Sequence, residues 1–358
     1  MKAKKWLISM IAAAALLLCI AAITVYRVDP YFHYHKPQTD KYYYELNNQR
    51  SQNDGIIRHF DYDAVITGTS MTENFRTTEA EKLFGSSFIK VSYSGGTYKE
   101  INDCIEKALK EQPGLKIVVR GLDMVRFFDA KDLMRPDLGN YPDYLYDEDL
   151  FNDIEYLLNR DVLFGIVREM IKESKEEGFE PGITSFDEYS RWQDDYVFGK
   201  ASVFPNGVHV EEAPVFTHLT EEEKTVIREN VEANITETAD EHPDVEFYYF
   251  YSPYSIGWWN DIRNDGTLLK QLEAEAYITE LIVSHKNIHL FSFNNRTDIT
   301  TDLENYKDIH HYSDKISSLI LEWMSKDEYR LTEENYKAYL KEERDFYTAF
   351  DYSSLLDQ

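Results

Sequence analysis

The first thirty residues contain the feature that most limits how this chain can fold. Trp6 to Val25 is an uncharged apolar run, and a lysine-rich segment at residues 2–5 precedes it. An α-helix needs about 20 such residues to cross a bilayer, and a positive flank stays in the cytoplasm. We therefore expect residues 1–26 to form a membrane anchor and the rest of the chain to face outward.

The end of this run favours an anchor that stays attached over a cleaved signal peptide. A cleavable signal has a shorter apolar region that ends in a small-x-small site. Here residues 21–25 run directly into residues 26–30, and Leu18 before Cys19 fits a lipoprotein cleavage site poorly. The other cysteine, Cys104, leaves no disulfide framework in the exported part. These features indicate a bacterial cell surface, and we expect a Gram-positive bacterium.

The charge of the chain excludes one class of function. The formal net charge is −27, with 65 acidic against 38 basic residues. Binding to nucleic acid depends on clustered Lys and Arg that neutralise phosphates, and this chain lacks such clusters. We expect no nucleic-acid partner.

The region after residue 62 predicts an α/β fold, because short β-rich runs alternate with amphipathic helical patterns. The predicted strands are residues 64–67, 88–92, 116–120, 245–251 and 288–291. The predicted helices are residues 71–84, 98–111, 221–239, 268–285 and 313–325. The expected domains are a juxtamembrane stalk at 27–62, an α/β domain at 63–325 with an insertion at about 124–216, and a charged helical tail at 326–358 that covers the outside.

The segment Thr67-Gly68-Thr69-Ser70 ends the first predicted strand and leads into the first predicted helix. A serine there could cap the helix, with Glu73 completing a capping box. It could instead be a nucleophile, since its hydroxyl would lie at the positive end of the helix. A serine nucleophile needs a base.

A candidate base lies just before the last predicted helix, in the segment Asp308-Ile309-His310-His311. The three-residue spacing would let the Asp308 carboxylate bond the Nδ1 side of His311 and leave Nε2 free. Orienting the imidazole in this way is the role of the third member of a catalytic triad. His310 makes the choice of histidine ambiguous, and the segment could simply cap the final helix.

These motifs resemble the SGNH/GDSL hydrolase superfamily, and within it the membrane-anchored envelope proteins related to the teichoic acid D-alanine transfer protein and to alginate O-acetyltransferases. The resemblance depends on Gly68-Thr69-Ser70, on Asp308-x-x-His311 and on the anchor followed by residues 29–33. It implies a three-layer, flavodoxin-like parallel sheet with helices on both faces. It also implies that Ser70 is the nucleophile, His311 the general base and Asp308 its orienter.

The resemblance further implies an oxyanion glycine after the second strand, for which Gly95 is favoured. Where the family has an asparagine after the third strand, this chain has Asp123, which cannot donate a hydrogen bond when ionised. Losing one oxyanion donor costs about 2.7 to 4 kcal/mol in proteases. Three alternatives follow: Asp123 has another role, its carboxyl group is protonated, or the esterase activity of this chain is weak.

We expect an extracytoplasmic enzyme that transfers or hydrolyses an acetyl or D-alanyl ester on a cell-envelope polysaccharide or teichoic acid. The resemblance implies a membrane O-acyltransferase partner. The alternative is a catalytically inactive glycan-binding or scaffolding subunit. Tyr254, Trp258 and Trp259, in a predicted loop, could contact a sugar or could be packed in the interior. We expect no cofactor and no metal, since none of the histidine pairs has a clear zinc spacing.

Overall fold

The computed structural model describes residues 2–135, 141–212 and 214–357, which form two compact units. Residues 2–60 and 141–185 belong to the first unit, and residues 61–135 and 186–357 belong to the second. Residues 136–140 and 213 of the expected insertion lie outside the described residues, as do residues 1 and 358.

The strands of the described chain are β1 (Tyr43–Tyr44), β2 (Ala64–Gly68), β3 (Phe88–Ser92), β4 (Ile117–Leu122), β5 (Gly182–Ile183), β6 (Glu246–Tyr251), β7 (Ile288–Ser292) and β8 (Arg330–Leu331). The α-helices are α1 (Lys2–Val28), α2 (Gln49–His59), α3 (Thr77–Phe84), α4 (Tyr98–Glu111), α5 (Ile154–Leu157), α6 (Arg168–Glu173), α7 (Lys200–Val203), α8 (Glu221–Val231), α9 (Glu237–Glu241), α10 (Ile256–Asn264), α11 (Leu268–Ile282), α12 (Thr297–Thr300), α13 (Asp314–Ser325), α14 (Tyr336–Ala349) and α15 (Ser354–Asp357). Within the described ranges, two segments are π-helical, at Val162–Val167 and Glu232–Thr236.

The second unit is built on a sheet in the order β3-β2-β4-β6-β7-β8. The first five strands are parallel, and β8 pairs with β7 in the antiparallel direction. Strands β2 and β3 are buried along their whole length, as expected for a parallel sheet covered by helices on both faces. Helix α3 packs with α13, whereas α11 packs with α8. The five strands predicted from the sequence are all present, and β2, β4, β6 and β7 differ at their ends by one or two residues.

The helix predicted to start at Met71 is wrong in its first turn. Ser70–Thr72 form a 3₁₀ turn, and the α-helix begins only at Thr77. The Nζ group of Lys90, buried on β3, donates to the carbonyl oxygens of Glu73 (2.5 Å) and Phe75 (2.9 Å). The Lys90 amine thus bonds main-chain acceptors just after the turn, where a continuous helix would use them.

The expected stalk contains strand β1 and helix α2. In the first unit, β1 pairs with β5 in parallel, so the stalk and part of the expected insertion form one small folded body. Asp29 organises the chain after α1, because its carboxylate accepts from the backbone N–H groups of His33, Tyr34 and His35 at 2.7 to 3.1 Å. The Tyr156 hydroxyl donates to the same carboxylate at 2.8 Å.

The expected outer tail is part of the second unit. Helix α14 packs with α11, and its Glu343 and Tyr347 side chains are fully buried. The Tyr347 hydroxyl donates to the carbonyl oxygen of Asn294 at 2.8 Å. The high charge of this segment in the sequence concealed the apolar and hydrogen-bonding positions on the face of α14 that packs inward.

Candidate active site

Ser70 follows directly on the carboxyl end of β2, in the 3₁₀ turn. The turn folds back against the end of β2, since a Cβ on Gly68 would lie 2.7 Å from Cγ2 of Thr72. Gly68 also has a φ of +150°, which side chains rarely allow. Thr69, and not Ser70, caps the turn, because its Oγ1 accepts from the N–H of Met71 at 3.3 Å. The capping role proposed for Ser70 is therefore filled by its neighbour.

A tight loop between Tyr306 and Tyr312 holds the acid and the histidine. The two tyrosines form an antiparallel bridge, and the N–H of Lys307 donates to the carbonyl oxygen of His311 at 3.0 Å. Oδ1 of Asp308 accepts from the backbone N–H groups of His310 and His311, at 2.8 Å each. The carboxylate is thus fixed by the main chain of its own loop.

The Asp308 carboxylate also bonds the imidazole of His311, with Nδ1 at 2.8 Å from Oδ2 and 2.9 Å from Oδ1. Burial raises the pKa of Asp308, but the His311 ring and the two backbone N–H groups outweigh burial and hold that pKa well below its ordinary value. An ionised Asp308 accepts a hydrogen bond from Nδ1–H and therefore selects the imidazole tautomer whose Nε2 is free to accept.

Ser70 Oγ lies 2.7 Å from His311 Nε2, a normal hydrogen-bond distance. The Ser70 hydroxyl donates to Nε2 in the tautomer that Asp308 selects. The structure therefore brings together the three residues that the sequence singled out at positions 70, 308 and 311. His310 is not part of this chain of bonds. Its ring packs against Tyr254 at 4.8 Å, and burial lowers its pKa.

Two side chains that the sequence did not single out connect the serine turn to the histidine loop. The Tyr312 hydroxyl donates to the carbonyl oxygen of Met71 at 3.3 Å. Trp192 contacts both Ser70 and His311. Its Nε1–H donates to the carbonyl oxygen of Ser70 at 3.4 Å, and its ring packs edge to face with the His311 ring at 5.5 Å. Tyr312 directly follows the predicted base and could have been noticed. Trp192 lies in an aperiodic segment, where no sequence signal identified it.

A lysine lies beside this arrangement. Nζ of Lys307 is 3.8 Å from the ring centre of Trp192 and 3.7 Å from that of Tyr196, so the two rings share one cation. Burial lowers the pKa of Lys307. Lys307 directly precedes Asp308, so this cation–π contact holds the Trp192 ring against the loop that carries Asp308.

Asp123 has a role different from that of an oxyanion donor. Its buried carboxylate accepts from the Thr69 hydroxyl, and from the Ser252 hydroxyl at 2.8 Å. Asp123 follows β4, Thr69 follows β2 and Ser252 follows β6, so the carboxylate joins the ends of three strands. These contacts make Asp123 a hydrogen-bond acceptor between strand ends, and its effect on esterase activity stays a prediction.

Gly95 lies in the loop after β3, which neighbours β2 in the sheet. Its φ of +62° is in the left-handed region, and its carbonyl oxygen accepts from Arg126 at 2.6 Å and from Arg135. The two guanidinium groups therefore fix the loop that the resemblance associates with an oxyanion donor.

The aromatic residues suggested as sugar contacts are interior residues, and this expectation is corrected. Residues 256–264 form α10 instead of a loop, with Ser255 capping its first turn. Trp259 is fully buried and stacks on Tyr347 with ring centres 3.7 Å apart. Tyr254 and Trp258 are also buried and pack edge to face at 4.9 Å. In this structure the three rings have no surface to offer a substrate.

Within the described ranges, no group of three or more His, Cys, Asp and Glu side chains could hold a metal ion. His285 bonds Asp240 at 2.7 Å, and His289 bonds Glu246 at 2.5 Å.

No protein-family profile and no curated protein sequence matches this chain. Among solved structures, an acetyl xylan esterase from the rumen bacterium Butyrivibrio proteoclasticus is similar, with 11% identity and a TM-score of 0.32. The likeness covers 74% of this chain and 62% of the esterase, which is less than two thirds of its length. A likeness at this level supports no argument about activity.

Proposed function

We propose that this chain is a membrane-anchored serine enzyme of the SGNH type that transfers or hydrolyses an acyl ester. The observation that carries the proposal is the 2.7 Å contact between Ser70 Oγ and His311 Nε2, with Asp308 bonded to the opposite nitrogen of the ring. Nucleophile, base and orienter within hydrogen-bond reach of one another are the geometric requirement for acyl transfer through a serine.

In this mechanism Ser70 Oγ attacks the acyl carbonyl carbon while His311 Nε2 takes the hydroxyl proton. The imidazolium that forms is stabilised by Asp308. When the tetrahedral intermediate collapses, the bond to the leaving oxygen breaks, and that oxygen takes the proton from His311. An ester on Ser70 remains. A second hydroxyl, from water or from a sugar or polyol, then loses its proton to His311 and bonds the acyl carbon. The bond from that carbon to Ser70 Oγ breaks, and Oγ takes the proton back from His311.

The negative charge on the tetrahedral oxygen needs donors other than Asp123, whose carboxylate is an acceptor for Thr69 and Ser252. We assign this role to the backbone N–H groups of Ser70 and Gly95. The fixed Gly95 loop and the short turn at Ser70 support the assignment, since donors held rigidly stabilise an oxyanion best.

The acceptor in this proposal is a cell-envelope polysaccharide or teichoic acid, and the transferred group is acetyl or D-alanyl. Support comes from the N-terminal helix, which is long and apolar enough to cross a membrane, and from the motif resemblance. The folded part would then face outward, next to the polymer. A membrane O-acyltransferase would supply the activated acyl group.

Release of acetate from a simple aryl acetate by the purified full chain tests the proposal. The wild type is expected to show activity, and Ser70→Ala to lose it while its free energy of unfolding stays within about 1 kcal/mol. A variant that retains its activity would contradict the assignment of Ser70. A folded wild type that is inactive but binds glycan would favour the scaffolding alternative.

A further inference from the structure

The first unit exposes four large apolar side chains, in or near segments that pack on the N-terminal helix. Leu150 is 78% exposed and Phe151 92%, and Ile154 and Phe164 are 57% and 60% exposed. These four residues are called the apolar collar below. Large exposed apolar groups close together mark a surface that meets a partner or a membrane.

The collar belongs to segments that pack on one end of α1. Helix α5, which carries Ile154, and the π-helical segment, which carries Phe164, both pack against α1. Residues 3–20 of α1 are exposed throughout, whereas Val25 and Val28 are buried. The contacts therefore cover the part of α1 that begins near residue 21.

The length of the exposed part of α1 determines how deep in the bilayer α5 and the π-helical segment lie. From Trp6 to Ile20 the helix extends about 22 Å, at a rise of about 1.5 Å per residue. The hydrocarbon core of a bilayer is about 30 Å thick. Residues 21–25 must therefore also lie within the core if α1 crosses it, and the segments packed on those residues reach the outer boundary of the core.

We infer that the apolar collar inserts into the outer leaflet of the lipid bilayer around α1. A protein surface at that depth meets acyl chains, which explains why its side chains are apolar. The exposed charged residues beside the collar carry both signs, with Arg160 and Arg168 alongside Asp149, Glu155 and Asp161, so the lipid contact is made by the apolar side chains. The occupant of this surface is phospholipid, and the collar gives the chain a membrane contact in addition to α1.

Fluorescence quenching in lipid vesicles tests the inference with the full chain. Cys104 is buried, and Cys19 is exposed on α1. In a Cys19→Ala background, single cysteines replace Phe151, Phe164 or Val197, and each carries an environment-sensitive dye. Val197 is the matched control because it is an equally exposed apolar residue, at 79%, in the second unit. Dye on the native Cys19 reports insertion of α1.

Lipids with a quencher near the top of the acyl chain are expected to quench positions 151 and 164 severalfold more strongly than position 197. Quenching at 151 and 164 no stronger than at 197, while Cys19 is quenched, would overturn the inference. A chain whose Cys19 is not quenched would also overturn it, because α1 would then not cross the bilayer. The experiment also distinguishes a lipid occupant from a protein occupant. Only purified protein and lipid are present, so a collar that binds a protein partner would stay unquenched. None of these positions belongs to the candidate active site, so weak quenching at 151 and 164 leaves the proposed chemistry of Ser70 untouched, and aryl acetate hydrolysis tests that chemistry separately.

Discussion

The Tyr312 hydroxyl donates a buried hydrogen bond to the carbonyl oxygen of Met71, 3.3 Å away and 241 positions earlier in the chain. Met71 follows the candidate nucleophile, and Tyr312 follows the candidate base. This bond joins the serine turn to the histidine loop, so the 2.7 Å contact between Ser70 and His311 depends on more than the two side chains that make it.

Replacing Tyr312 by Phe removes this bond and leaves the ring in place. We expect a lower kcat for ester hydrolysis with little change in KM, and a loss of about 1 kcal/mol in the free energy of unfolding. Tyr347→Phe is the matched control, because its hydroxyl is equally buried but bonds Asn294 and Thr300 on another part of the unit. Equal effects of the two variants on kcat would refute a positioning role for Tyr312.

Asp308→Asn tests the orienting role of the carboxylate. The amide keeps an oxygen for the two backbone N–H groups, but it no longer selects the tautomer or stabilises an imidazolium. The corresponding change in a serine protease lowers kcat on the order of 10⁴-fold, and we expect a loss of similar size. His310→Gln is the control and should retain activity, since His310 contacts neither Ser70 nor Asp308 through its ring. Activity lost in His310→Gln but kept in Asp308→Asn would reverse the assignment.

The sequence predicted the parts of this fold that depend on local pattern. Strands β2 and β3 are short and rich in apolar and β-branched residues. Helix α4 matches its predicted bounds because Thr97 caps it and its apolar positions recur with the helical period. Ser70, Asp308 and His311 could be named because each stands beside a strand end or a helix start. Their contact could not be derived, because it depends on pairing between distant strands.

The remaining parts depend on tertiary contacts that no local pattern encodes. Lys90, on the neighbouring strand β3, bonds the Glu73 carbonyl oxygen just after the Ser70 turn. Trp258 and Trp259 follow a proline and were predicted to lie in a loop, yet they belong to α10, where Tyr347 from the tail covers Trp259. Asp123 was assigned by position in a motif, and its actual partners, Thr69 and Ser252, come from two other strands.

Replacement of Asp123 separates its structural role from a role in the oxyanion site. We expect Asp123→Ala to lose about 1 to 3 kcal/mol of stability, because two buried hydroxyls lose their acceptor. Asp123→Asn should lose less, since the Ser252 and Thr69 hydroxyls can each turn to donate or accept. Chemical denaturation measures the stability of both variants, and ester hydrolysis measures their activity. A large rise in kcat for Asp123→Asn would show that position 123 faces the oxyanion after all.

The raised pKa values of two buried carboxyl groups make the stability of the fold depend on pH. Glu275 and Glu343 share the Asn294 amide as a donor, at 3.2 Å and 3.1 Å. Burial raises the pKa of Glu275 to about 7, and burial together with the charge of Glu275 raises that of Glu343. The folded chain therefore holds more protons than the unfolded chain above about pH 4.5. This contribution is complete below about pH 4.5 and is lost as the pH rises through about 7.

Thermal unfolding of Glu343→Gln measures this contribution. The variant should unfold at a higher temperature than the wild type above pH 7, with a smaller difference near pH 4.5. Glu342→Gln is the control, because it is the exposed neighbour on α14 and removes the same charge. Parallel pH profiles for the wild type and Glu343→Gln would contradict the prediction.

A fluorophosphonate probe tests most directly whether the hydroxyl at position 70 and the imidazole at position 311 work together. Mass spectrometry of the treated full chain should find one adduct, on Ser70, that forms far more slowly in His311→Ala and is absent in Ser70→Ala. A folded wild-type chain that stays unlabelled, or one that labels at Ser70 equally fast without His311, would contradict the account.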